Sequence, residues 1–125
     1  MTASESNVQA NVRLEAARIP GVMLWRNNVG VLRDQNDRPV RYGLANDSPQ
    51  LNRQLKSGDL IGWRSVVITP DMVGRTVAVF VSRECKYEGW RFNPNDEREA
   101  AQARWRDLIL AAGGDAAFTA GPGSL

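Results

Sequence analysis

Apolar residues in this chain come in short runs separated by glycine, proline and polar clusters, and the spacing within each run predicts its element. Ser4, then Glu5, Val8, Val12 and Leu14 to Ala17, predict an amphipathic helix capped by the serine and ended by Pro20-Gly21. Val22 to Trp25 predict a strand, and Arg26-Asn27-Asn28-Val29-Gly30 leads into a polar loop carrying Arg33, Arg38 and Arg41. The stretches 59–68 and 76–86 predict two further strands joined through Thr69-Pro70-Asp71-Met72-Val73-Gly74, a long-looped hairpin. Val77-Ala78-Val79-Phe80-Val81 is apolar on both faces, the pattern of a central strand. Asn93-Pro94 predicts a helix start and Gly113-Gly114 its stop. Between them Ala101, Trp105, Leu108 and Ala112 form the expected core stripe, with Gln102 beside it. Asp115 to Ala120 predict a final strand, followed by a flexible tail over 120–125. The order helix, strand, strand, strand, helix, strand predicts an α/β fold with a mixed central sheet flanked by helices.

Composition narrows the chemistry. At 125 residues the chain is expected to form a single domain. The net charge of +2 permits nucleic-acid binding without requiring it. Without histidine, and with Cys85 the sole cysteine, the chain holds no Ser-His-Asp or Cys-His centre, no common zinc ligand set and no internal disulfide. Nothing in the first twenty residues reads as a cationic start followed by an apolar block, so a soluble cytoplasmic protein is expected. The chemistry that remains belongs to carboxylates and lysine.

Those groups stand at the ends of the apolar runs, as Asp59 in Ser57-Gly58-Asp59-Leu60-Ile61-Gly62 and as Glu84 and Lys86 in Val81-Ser82-Arg83-Glu84-Cys85-Lys86. Alternation along a strand points Glu84 and Lys86 to one face and Cys85 to the other. If the hairpin turns between Asp71 and Met72, Asp59 falls opposite Glu84, at a Cβ separation of roughly 4.5 to 5.5 Å. Two carboxylates that close repel one another unless a divalent cation sits between them, which is the pattern of a metal-dependent nuclease centre. The bland alternatives are an ordinary turn acid at Asp59 and a solvated Glu84–Lys86 pair worth about 0 to 1 kcal/mol. The Cys85 thiol is expected to be buried and inert.

Taken in order, Asp59 in a Gly-Asp-Leu-Ile-Gly run, Glu84-Cys85-Lys86, Gln102 in the following helix and Gly113-Gly114 resemble the PD-(D/E)XK nuclease superfamily. More narrowly the chain resembles a stand-alone VRR-NUC domain, the virus-type replication and repair nuclease. Glu5 and Gln9, Pro20-Gly21-Val22 and Trp25-Arg26-Asn27-Asn28-Val29-Gly30 also follow that pattern, so the likeness runs from about Glu5 to Thr119. Two positions depart from it: Gly58 stands where proline usually precedes the first acid, and Cys85 replaces the usual aliphatic.

The resemblance implies a restriction-endonuclease-like core and metal-dependent, structure-specific hydrolysis of DNA phosphodiesters by a Holliday-junction resolvase-like endonuclease of phage or mobile-element replication and repair. Asp59, Glu84 and the Cys85 carbonyl are then expected to hold Mg²⁺ or Mn²⁺. Glu5 has two readings, a further metal ligand or an acid favoured by the dipole of a first helical turn. Lys86 is expected to orient water or offset developing charge, and Gln102 to position that water or Lys86. Arg26, Asn28, Arg41 and Lys56 are the expected DNA contacts, with Arg33, Arg64 and Arg91 nearby. Tyr42, Trp63 and Trp90 have base-stacking and core readings. Two symmetric junction cuts imply a homodimer, for which Trp25, Trp90 and Phe118 are candidate surfaces. The runner-up reading is a catalytically silent nucleic-acid binding module on the same fold, and a third is a structural accessory protein.

Overall fold

The computed structural model describes residues 4–125, which fall into two compact units meeting in sequence at Arg64 and Ser65. In the first unit, helix α1 (Glu5–Arg18) begins at Ser4, whose side chain accepts a hydrogen bond from the Asn7 backbone N–H at 3.2 Å. This supplies a partner for one of the donors that a helix start leaves unsatisfied, as the sequence predicts. The helix packs on strand β1 (Val22–Arg26) and buries Ala16.

Three elements of this unit lie where the sequence predicts no regular structure. Strands β2 (Gly30–Arg33) and β3 (Pro39–Tyr42) form an antiparallel hairpin, and helix α2 (Pro49–Gln54) follows, capped by Ser48 with proline in its first turn. The hairpin turn is held by Asp34, whose Oδ1 accepts from the backbone N–H groups of Asn36 and Arg38, both at 2.9 Å. The aspartate thus builds a turn without proline or glycine.

Strand β4 (Leu60–Arg64) pairs antiparallel with β1, Leu24 opposite Gly62 and Trp25 opposite Ile61. A methyl group at Gly62 would collide with the Met23 carbonyl, so the two strands approach this closely only because residue 62 is glycine. On the same ladder Trp25 and Trp63 pack edge to face at 5.0 Å.

In the second unit a 3₁₀ turn (Pro70–Met72) precedes strand β5 (Val81–Cys85). Helix α3 (Glu97–Ala111) then crosses to strand β6 (Asp115–Thr119), which pairs parallel with β5 and places Glu84 opposite Phe118. This is a β-α-β unit. Its helix ends with Gly113 at φ 96, while the Gly113 and Gly114 N–H groups donate back to the carbonyls of Leu110 and Ile109. Ile109 and Ala103 on α3 and Ala116 on β6 are buried.

The chain is therefore mixed α/β, as expected, but instead of one mixed central sheet the described residues form three two-stranded sheets, β1-β4, β2-β3 and β5-β6. The predicted hairpin of 59–68 with 76–86 is corrected: the partner of β4 is β1 and that of β5 is β6. Strand β5 starts only at Val81, and Val77 and Val79 are each 56% exposed rather than central. The predicted α3 stripe is corrected too. Ala101 and Leu108 are exposed, and the face turned inward carries Gln102, Ala103, Arg106 and Ile109.

The start of α3 moves as well. Asp96 caps the helix by accepting from the Glu99 N–H at 3.0 Å, and Asn93-Pro94 forms the turn before it. Among the described residues no helix is long and apolar enough to cross a membrane.

Candidate active site

Three of the residues singled out in the sequence meet on the α3-facing side of β5. Side-chain alternation turns Ser82, Glu84 and Lys86 toward the helix, where Gln102 lies between the two charged groups. Lys86 Nζ donates to Gln102 Oε1 at 2.8 Å, and Gln102 Nε2 donates to Glu84 Oε1 at 2.9 Å. The direct Lys86–Glu84 separation is longer, 3.9 Å. The amide therefore spans the ion pair, using its acceptor on the cation and its donor on the anion.

The two charged groups differ in exposure. The Lys86 side chain is 15% exposed and the Glu84 side chain 42%. Lys86 Nζ also lies over two aromatic rings, 5.4 Å from the Trp90 centroid and 5.9 Å from that of Phe118. Trp90, Phe92 and Phe118 form one cluster, with Trp90 and Phe118 at 4.8 Å. One turn along α3 from Gln102, the Arg106 guanidinium lies 5.4 Å from the Phe118 ring. Ser82 Oγ accepts from the Trp105 indole N–H at 3.0 Å, fixing the helix to the strand beside Glu84. Glu84 and Lys86 also line an open groove with Trp90, Arg91, Asn93, Asp96, Arg98 and Glu99.

Cys85 points away from this face, as alternation requires, but it is exposed, which corrects the expected burial. Its neighbour Arg83, on the same outward face, forms an ion pair with Asp115 at 3.0 Å and donates to the Ser124 carbonyl at 2.6 Å.

The remaining expected site residues belong to the first unit. Asp59 is exposed just before β4, and its backbone carbonyl accepts from the Asn27 N–H at 2.8 Å. The Asn27 side chain donates to Ser57 Oγ at 2.7 Å and to the Gly58 carbonyl at 2.8 Å, so it shapes the backbone leading into Asp59. Glu5 is an exposed first-turn acid of α1, the position favoured by the helix dipole. Arg26 and Asn28 are exposed around the end of β1. Lys56 is exposed and donates to Asn52 Oδ1.

Arg41 is committed elsewhere. Its Nε and Nη2 donate to the Asn46 carbonyl and Oδ1 at 2.8 and 2.7 Å, while Asn46 Nδ2 donates to the carbonyls of Gly30 and Tyr42, both at 2.8 Å. Asn46 is 2% exposed, so this knot is the buried polar centre of the hairpin.

Glu84 suits a hard cation. Gln102 engages only Oε1, and the carboxylate reaches solvent. Among the described residues no three cysteine or acidic side chains gather at one point, so Glu84 is the carboxylate that this face of β5 provides. Of the residues around the site, Ser82 shares the face of Glu84 by strand alternation, whereas Trp90, Phe118 and Arg106 carry no sequence signal tying them to Glu84 and Lys86, because ring packing and the β5–β6 register bring them there. Comparison of the chain with protein-family models, with curated proteins and with solved structures finds no match.

Proposed function

We propose that the chain is a metal-dependent DNA endonuclease that hydrolyses phosphodiester bonds, with Glu84, Lys86 and Gln102 at its catalytic centre. The observation that carries this reading is the hydrogen-bonded series Lys86–Gln102–Glu84, one cation and one anion held apart by a bridging amide. Lys86 and Glu84 form an ion pair at 3.9 Å, and because Gln102 bonds both partners at shorter range, neither charge is wholly spent on the other. Glu84 and the Cys85 carbonyl would hold Mg²⁺ or Mn²⁺; with β4 paired to β1 rather than to β5, Asp59 does not stand opposite Glu84, and the metal roles of Asp59 and Glu5 rest on the sequence resemblance alone. The cation would polarise a phosphoryl oxygen and lower the pKa of bound water.

Lys86 presents a donor fixed by Gln102 and turned toward the acid, where it offsets negative charge developing on the phosphoryl oxygens. Gln102 keeps that ammonium from collapsing onto Glu84 and leaves the second carboxylate oxygen available. Arg91 and Arg98, in the groove beside Glu84, would bind backbone phosphates, and Arg26, Asn28 and Lys56 are proposed as further contacts. Branched DNA as the preferred substrate and action as a homodimer rest on the sequence resemblance.

The test is cleavage of labelled DNA by the wild-type chain and by Lys86→Ala, Glu84→Gln and Asp59→Ala. Metal-dependent cutting should be lost in all three variants, with their circular dichroism unchanged. Full activity in Lys86→Ala or Glu84→Gln would refute the assignment.

A further inference from the structure

The face of β5 that carries Glu84 and Lys86 is bordered by aromatic rings as well as by polar groups. Resting on the catalytic reading above, we infer that Trp90 and Phe118 are positioning residues for Lys86. Together they form an aromatic cage that holds its ammonium against Gln102 and toward Glu84.

The ammonium lies within 6 Å of both ring centroids, the range in which a ring quadrupole attracts a cation. The third side of the cage is Gln102 Oε1 at 2.8 Å. A long, flexible lysine side chain ordinarily loses much rotamer freedom when fixed, and three converging contacts compensate for that loss without adding a second carboxylate. The register explains why the rings are there. Phe118 stands opposite Glu84 on β6, so it is delivered to the same site by strand pairing. Trp90, in the loop after β5, is held against Phe118. Phe118 also carries Arg106, whereas Trp90 carries only Lys86 among the described cations, so Trp90 is the cleaner residue to change.

The composition makes a direct test possible, because Lys56 and Lys86 are the only lysines in the chain and Lys56 is exposed. In NMR spectra of the full chain, ring currents should move the ε-methylene protons of Lys86 upfield of those of Lys56. Trp90→Leu should reduce that shift and lower kcat roughly tenfold, whereas Trp90→Phe should retain most of the shift and activity. Coincident methylene signals in the wild-type chain would overturn the cage whether or not Trp90→Leu folds. A Trp90→Leu variant with a reduced shift but wild-type kcat would overturn the positioning role. A wild-type chain that shows the shift yet cuts no DNA would instead remove the catalytic reading and the positioning role with it, leaving the cage a structural contact.

Discussion

At the scale of single residues, Gln102 matters most, because among the described residues it is the side chain that bonds both charged groups. Removing it leaves Lys86 and Glu84 free to close their 3.9 Å gap, which would draw the ammonium away from the substrate. Gln102→Ala should lower kcat by about tenfold to a hundredfold, the worth of a hydrogen bond to a charged group, with little change in the DNA Kd. Steady-state kinetics beside a binding titration checks this split. A second residue-scale prediction concerns Asn46. Asn46→Ala would strip the Arg41 guanidinium and the Gly30 and Tyr42 carbonyls of a buried partner, and should cost about 1 to 3 kcal/mol in urea unfolding. Glu84 and Lys86 were legible as a pair because strand alternation is strictly local. The surroundings of Asn46 and Lys86 were not, since they depend on packing between residues far apart in sequence.

At the scale of elements, ends and close approaches decide which changes matter. Asp96 is the cap of α3, so Asp96→Ala should destabilise the chain by about 1 kcal/mol. Gly62→Ala should cost more, because its methyl group meets the Met23 backbone carbonyl across the β1–β4 ladder rather than a side chain able to move. Thermal unfolding of the two variants side by side measures the order. The caps of α1 and the glycine stop of α3 were readable because such signals lie within a few residues of the feature they govern. The β2–β3 hairpin leaves little mark on the sequence, since its turn is built by Asp34 and charged neighbours and its strands are only four residues each. The inward face of α3 departs from the apolar spacing of Trp105 and Leu108 because Gln102 and Arg106, both polar, face inward at the candidate site.

At the scale of the whole molecule, mixed α/β content followed from the sequence, but strand partners did not. Sheet pairing joins segments as distant as β1 and β4, and the apolar pattern of one strand carries no label for its neighbour. The local connection through Pro70 and Gly74 made a hairpin the simplest reading, whereas β5 obtains its ladder from β6 across α3. The overall charge of +2 is modest, so affinity for DNA should depend on where the arginines lie rather than on the total. Replacing Arg91 or Arg98 by alanine should weaken binding uniformly across sequences and reduce the salt slope by about one unit each, as fluorescence anisotropy over a salt series would read.

Metal-dependent cleavage by this chain is tested by incubating it, purified, with labelled four-way junction, flap, single-stranded and linear duplex DNA, in Mg²⁺, Mn²⁺ or EDTA, beside Lys86→Ala. Cleavage that requires the metal and disappears in the variant is the predicted result, with paired symmetric cuts on the junction if two copies act together. Salt-sensitive binding with no cleavage of any substrate would contradict it and make the chain a silent nucleic-acid binding module.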